Sequence, residues 1–417
     1  MPMTPMLNPT ITRRECLAAL GLSISSAALD PSRLAADAND DLRQSDVFVA
    51  GQDGYHTYRI PALVRTTKDT LLAFCEGRKN NRRDHGDLDL VLKRSSDGGR
   101  TWSRQQVVYE EGGSAEVTIG NPAPVVDQDT GVIWLPFCRD NDRVLMTHSA
   151  DDGLTWASPA DITGDVKEPD WTWYATGPVN GIQLRRPPHK GRLVIPCDHR
   201  VGGAENSWNH AGRSHAIYSD DHGKSWQLSK PTGFAMNECT VAERSAGTLL
   251  LNMRSYRGRN RRAVATSEDG GVTWSASRDD PKLIEPVCQG SMIRYTWPDE
   301  AGPDEAGPGE AGLHEAEPGA AGPDKANSSG KSRMLFSNPD SKTRDHMTVR
   351  LSYDEGRSWP GSRLLHEGPA AYSGLCALPD QSIGNLYERG SQSPYETITF
   401  ARFTLAWLTR GKDRLGG

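Results

Sequence analysis

Ser95-Ser96-Asp97-Gly98-Gly99-Arg100-Thr101-Trp102 is the first of five copies of one pattern, Ser-x-Asp-x-Gly-x-Thr/Ser-Trp. The others run Ser149 to Trp156, Ser219 to Trp226, Ser267 to Trp274 and Ser352 to Trp359, with aspartates at 151, 221, 269 and 354. Chance does not place five matches at so many fixed positions. The intervals between successive box tryptophans are 54, 70, 48 and 85 residues. That spacing, with strand-like segments between, is the signature of a propeller built blade by blade. Each box reads as a hairpin. An apolar run such as Leu88-Asp89-Leu90-Val91-Leu92 leads in. The Asp accepts backbone N–H bonds and the Gly takes positive φ, which makes the turn. The Trp then packs between strands, its indole N–H free to find a partner. The box aspartates are therefore turn-formers rather than catalysts.

The rest of the composition agrees. Glycine (42) and proline (27) are plentiful, as short strands joined by many turns require. About 375 residues follow the N-terminal segment, and propeller blades carry four strands each. The expected fold is all-β, a six-bladed β-propeller of four-stranded antiparallel blades; the box count alone also admits five or seven. Net charge is −6, which gives no global attraction for nucleic acid or anionic membranes. An anionic substrate would need a local positive site.

Two segments stand apart. Residues 1–38 place Arg13-Arg14 before an apolar stretch from about Cys16 to Leu29, then small residues around Ala35-Ala36-Asp37-Ala38. This resembles a twin-arginine export signal, although Cys16 stands where Phe is usual, and it predicts export to the periplasm or beyond. The stretch is shorter than the ~20 apolar residues of a membrane span. Residues 39–417 are expected to form the propeller. Within them, 298–332 repeats Pro-Asp/Gly-Glu-Ala-Gly and has almost nothing to bury, so it reads as a disordered surface insertion.

Six cysteines follow Cys16 (Cys75, Cys138, Cys197, Cys239, Cys288, Cys376), none in a CxxC pair. They read as small buried hydrophobes, with disulfides left open. The histidines lack metal-ligand spacing. No phosphate loop or dinucleotide fingerprint appears, so no cofactor and no metal is expected.

Beyond the boxes, Tyr58-Arg59-Ile60-Pro61, Cys75-Glu76-Gly77-Arg78, Asp84-His85-Gly86-Asp87, Asn237-Glu238-Cys239, Asn252-Met253-Arg254-Ser255, Asn338-Pro339 with Arg344, Ala371-Tyr372-Ser373 and Leu386-Tyr387-Glu388 occur in that order. Over nearly the whole of residues 39–417 this set resembles the bacterial exo-α-sialidase (neuraminidase) family with its Asp-box repeats. The resemblance implies a retaining hydrolase that removes terminal sialic acid from sialylated glycans through a covalent tyrosyl intermediate. It implies Arg59, Arg254 and Arg344 as a triad for the sugar carboxylate, Tyr372 as nucleophile and Glu238 as its base. Chemistry agrees: arginine keeps its charge and presents a fork that fits a carboxylate. A neutral phenol approaches an anomeric centre that already bears a carboxylate without like-charge repulsion. Sialidases are a named exception to the two-carboxylate rule of glycosidases.

Asp84 is the candidate acid/base, in a polar loop, with Asp87 and Asp89 as competitors. Arg78 either touches the sugar or holds Asp84. Glu388 is expected to pair with Arg59. Asn121-Pro122 and the Trp171–Pro178 segment are candidate pocket walls, with core packing as the alternative. Trans-sialidases, including intramolecular ones, share this machinery, and a non-catalytic sialoglycan-binding propeller shares the fold.

Overall fold

The computed structural model describes residues 42–202, 207–299 and 330–415. The segment 1–38 and most of the insertion at 298–332 lie outside these residues.

The architecture is an all-β propeller. Strand β1 (Arg43–Val49) opens the described chain. Next come β2 (Thr57–Arg65), β3 (Leu71–Arg78), β4 (Leu88–Ser95) and β5 (Gln106–Tyr109), one antiparallel sheet in chain order. The second sheet holds β6 (Ile119–Gly120), β7 (Val125–Val126), β8 (Ile133–Arg139), β9 (Arg143–Ser149) and β10 (Ala160–Asp161). The third holds β11 (Trp171–Thr176), β12 (Ile182–Gln183), β13 (Leu193–Val201), β14 (Gly212–Ser219) and β15 (Gln227–Leu228). The fourth is β16 (Met236–Glu243), β17 (Leu249–Ser255), β18 (Arg261–Ser267) and β19 (Arg278–Ile284). Then follow β20 (Ser291–Thr296), β21 (Arg333–Pro339), β22 (Asp345–Ser352), β23 (Gly361–Ala377), β24 (Ile383–Arg389) and β25 (Thr397–Phe403). These six and β1 lie on one hydrogen-bonded path, β1-β25-β24-β23-β22-β21-β20. The long β23 pairs with β22 through its first part and with β24 through its last. No helix among the described residues is long and apolar enough to cross a membrane.

The core lies in layers between neighbouring sheets. Leu72, Phe74 and Leu90 pack on Ile133, Leu135 and Phe137; Val194 and Ala216 pack on Val241 and Leu251. Phe48, Leu386 and Phe400, from the sheet at the chain ends, pack on Leu63 and Leu71 of the first sheet. The six cysteines are buried and unpaired, as small hydrophobes.

The boxes form the third-to-fourth strand turns. Asp97 accepts from the amides of Thr101 (2.9 Å) and Arg100 (3.0 Å) and from the hydroxyls of Thr101 (2.6 Å) and Ser95 (2.8 Å). The pattern recurs at Asp151, Asp221, Asp269 and Asp354. Gly99 sits at φ +82°, and a Cβ there would fall 2.0 Å from the Phe400 ring of the adjacent sheet. Glycine is thus required twice, for its dihedral and for close approach. Among the described residues, the buried Nε1 atoms of Trp102, Trp156, Trp226 and Trp359 have no hydrogen-bond partner, while Trp274 donates to Ser229 (3.4 Å). These rings lie against aromatic neighbours, Trp102 on Phe400 and Trp156 on Phe74, where shape complementarity prevails and no acceptor is at hand.

Candidate active site

The inner strands lose their regular register where they reach one face. On β2 the pairing slips between Arg59 and Ala62, with Ile60 at φ +61°. On β16 it slips between Met236 and Cys239, and on β23 between Ala370 and Ser373. Such slips redirect side chains that strict alternation would send to opposite faces. Asn237 and Glu238, consecutive in sequence, thereby line the same pocket.

That pocket encloses ≈ 280 Å³ and brings together Arg59, Arg78, Asp84, Glu238, Arg254, Arg344 and Tyr372. The Tyr372 hydroxyl donates to Glu238 Oε1 (2.5 Å) and accepts from Arg254 Nη1 (3.1 Å). Arg254 also pairs with Glu238 Oε2 (2.7 Å) and donates to the Tyr256 hydroxyl (2.7 Å). Burial above all, and then the Glu238 charge, push the Tyr372 phenol well above its ordinary range. It therefore rests protonated, with its proton aimed at a carboxylate.

Glu388 lies beneath Arg59, fully buried. One of its oxygens accepts from Arg59 Nε (2.7 Å) and the Ile60 amide (2.9 Å), the other from the Tyr372 amide (3.1 Å). A single carboxylate thus ties an arginine and a tyrosine 313 residues apart in the chain to one point. The Arg59 guanidinium lies 4.0 Å from the Tyr395 ring centroid, and Arg344 donates to the Tyr395 hydroxyl (2.7 Å). Arg59, Arg254 and Arg344 together present cationic forks to the pocket, an arrangement that holds a carboxylate.

Asp84 stands on the β3–β4 loop with its side chain largely exposed. Arg78 Nη1 holds it at 2.8 Å, and Arg59 lies at 3.6 Å. Partial burial works in the opposite direction, but Arg78 and Arg59 keep its carboxyl below the usual range. Arg78 is itself anchored by Glu76 (2.7 Å), whose other oxygen accepts the Asn121 amide (3.0 Å). Asp87 and Asp89 face elsewhere. Both pair with Lys79 (3.0 and 3.2 Å), and Asp89 accepts from Tyr55 (2.5 Å).

Of the candidate walls, Asn121 and Trp173 line the pocket. Trp171 does not; it stacks on His199 with centroids 3.4 Å apart in the core. Sequence reading missed Asn141, Trp208, Tyr256 and Tyr395. Tyr256 follows Arg254 at strand period, which was a usable signal; Asn141 and Tyr395 sit in turns and Trp208 opens a four-residue helix, Trp208–Ala211, none of which carries one. Away from the pocket, Asp127, Asp129 and His222 bring three metal-type ligand atoms together. Asp127 already accepts from Thr130, Gln183, His222 and the Asp129 amide, so the group is self-satisfied.

Comparison with known proteins adds the following. Residues 69–387 match the family described as BNR repeat-like domain. A sialidase of Micromonospora viridifaciens is 34% identical over 387 residues, covering 88% of this chain and 54% of the relative. A sialidase of Bacteroides fragilis is 32% identical, covering 81% of this chain and 61% of that protein. The chain thus spans between half and two thirds of the length of these two. An exo-alpha-sialidase of Aspergillus fumigatus is 30% identical, with 86% of this chain and 87% of the relative covered. Among solved structures, Hadza microbial sialidase Hz136 superposes with a TM-score of 0.73 at 31% identity, over 88% of this chain and 69% of that one. A leech intramolecular trans-sialidase shares the fold, with a TM-score of 0.70 at 16% identity over 88% and 71% of the two chains.

Proposed function

This chain belongs to the sialidase family, and on that premise we propose that it is a retaining exo-α-sialidase acting on terminal sialic acid of glycoconjugates. The observation that carries the reading is the Tyr372–Glu238 hydrogen bond set among three arginines in one pocket. The arginines receive the sugar carboxylate and fix the anomeric carbon over the Tyr372 hydroxyl. Glu238 takes the phenolic proton as the tyrosyl oxygen bonds to that carbon. The glycosidic C–O bond breaks, and Asp84 protonates the departing oxygen. In the second half, water attacks the same carbon and gives its proton to Asp84. The tyrosyl C–O bond breaks, and Glu238 returns the proton to Tyr372. Two inversions at one carbon retain its configuration.

The free site holds Asp84 ionised, which is the wrong form for an acid. The substrate resolves this: its carboxylate neutralises the arginines that depress Asp84 and adds a negative neighbour, so Asp84 rises on binding and takes up from solvent the proton that it passes to the leaving oxygen and regains from water in the second half. Exposure of the Asp84 side chain suits a group that must meet both leaving group and water.

The fold is read as six blades, with β23 counted in both sheets it joins. In support, hydrophobic layers pair successive blades all the way round, and the last layer joins the sheet of the chain ends to the first. Residues 1–38 are proposed as an export signal, which would place the enzyme where sialylated glycans are met.

The test is release of 4-methylumbelliferone from its α-N-acetylneuraminic acid glycoside, with the sugar product identified. Free sialic acid of retained configuration supports hydrolysis. An anhydro sugar would instead make the enzyme an intramolecular trans-sialidase. No release, with binding of a sialylated glycan kept, would reduce the chain to a binding propeller.

A further inference from the structure

One acid beside the pocket is used by none of these steps. Asp198, on β13, is completely buried and forms no ion pair among the described residues. Among the described residues its side chain has one hydrogen-bond partner, the side-chain amide of Asn237, and its Oδ1 has none. The nearest charges are Glu238, a like charge, and Arg254, which is already engaged by Glu238 at 2.7 Å. A carboxylate buried to this degree with a single donor and no cation paired to it takes up a proton. The same conclusion follows from the balance of influences on this group: burial first and Glu238 second push it far up, and Arg254 and Asn237 pull less.

A neutral acid has an O–H to place, and Asn237 is the partner within reach. The hydroxyl therefore needs the amide oxygen as its acceptor. In the structure the amide nitrogen faces Asp198; a half-turn of the amide keeps its shape and exchanges its two ends. The Asn237 backbone does not turn with it, because its carbonyl accepts from Ser214 Oγ (2.5 Å) and the register slip fixes the strand. The exchange sends the NH2 group toward the pocket, which Asn237 lines beside Glu238.

We propose that Asp198 is a neutral, proton-donating positioning residue that holds the Asn237 oxygen and thereby presents the Asn237 NH2 group to an acceptor oxygen of the bound sugar. The part concerning the sugar rests on the sialidase reading; the protonation and the amide orientation do not. A carboxylic acid kept neutral by an apolar site so that it can donate is an established device.

The test has two arms on the full chain. Infrared difference spectra of wild type against Asp198→Asn at neutral pH should show the carbonyl stretch of a protonated carboxylic acid, lost in the variant. Its absence from wild type would overturn the proposal, whatever the enzyme does. In the kinetic arm, Asp198→Ala should raise KM about tenfold, the worth of one hydrogen bond, with kcat less affected. Asp198→Asn also has an N–H for the Asn237 oxygen, so it should lose no more than about threefold and keep the wild-type pH profile. The Asp198→Ala/Asn237→Ala pair should be no worse than Asn237→Ala alone, because one acts through the other. Additive losses, or a pH profile shifted in Asp198→Asn, would overturn it. If wild type releases no sugar, the sialidase reading fails and the infrared arm still decides the state of Asp198.

Discussion

The box turns and the pocket ends of the inner strands use the same chemistry, a carboxylate accepting several donors, to opposite purposes. Asp151 takes the amide and hydroxyl of Thr155 and the hydroxyl of Ser149, all within four residues. Glu388 takes Arg59, Ile60 and Tyr372, up to 329 residues distant. The box carboxylate shapes one hairpin at the solvent edge. The pocket carboxylate ties the sheet of β23 and β24 to that of β2 and orients groups that line the pocket. Local bonding therefore repeats and reads as a pattern, and convergent bonding occurs once.

If that division is right, changes at the pocket end should strike catalysis or global stability, and changes at a box only local stability. Tyr372→Phe is the severest test. Turnover should fall to the limit of detection, because the oxygen proposed as the nucleophile is gone, and affinity for a sialic-acid transition-state analogue should survive. Activity near wild type would remove Tyr372 from the chemistry. Asp84→Ala should cost about 10²–10⁴-fold on natural glycosides and clearly less on aryl glycosides, whose leaving groups need little protonation. Equal losses on both would show that Asp84 is not the acid.

Glu388→Gln should act on the fold. All three groups it meets are donors, so the new NH2 opposes one of them, and Arg59 is left buried without its counter-charge. The cost should be about 3–5 kcal/mol in denaturant unfolding. A variant as stable as wild type would mean that the pocket end bears no more of the fold than a box does.

Asp151→Ala is the mildest. It should cost about 0.5–1 kcal/mol and leave kcat/KM unchanged. The Thr155 hydroxyl and amide bring the Asp151 carboxyl down to about 2. Because the folded value is depressed, its contribution is fully present above the unfolded value of about 3.9 and is lost as pH falls from there toward 2. Carbon NMR of the Asp151 carboxyl reads this directly; a midpoint near 4 would show the turn bonds to be weak in solution.

The same contrast explains what the sequence disclosed. Five boxes revealed the propeller because each turn is complete within eight residues. Arg59, Tyr372 and Glu238 were legible because short motifs frame them. Tyr395 and Trp208 were not, since nothing near Ser393-Pro394-Tyr395 or Trp208 says which loop will fold over the pocket. Asp84 stood apart from Asp87 and Asp89 because Asp87 fits a turn and Asp89 alternates with strand residues; that Lys79 pairs with both competitors is what no spacing reveals. Which box indoles go unpartnered was not legible, because the pattern shows that a Trp is buried and not whether its neighbour across the gap is Phe400 or an acceptor. Asp198 was passed over for a related reason: its state is set by what fails to reach it.

The pairing of β1 with β25 has a consequence for how the chain reaches this state. The Thr399 hydroxyl bonds to Asp46 (2.5 Å) and the Tyr387 hydroxyl to Gln44 (2.8 Å), across 353 and 343 residues. During synthesis β1 is made before the other described strands and gains its neighbour only when β25, the last of them, is made. Until then it is an open edge with apolar Val47 and Phe48, the kind of segment that recruits other chains. Contacts of such separation also make folding slow. Yield in a cell should therefore be limited by the time this strand waits, and chaperones that shield nascent edges should matter more than the stability of the finished ring.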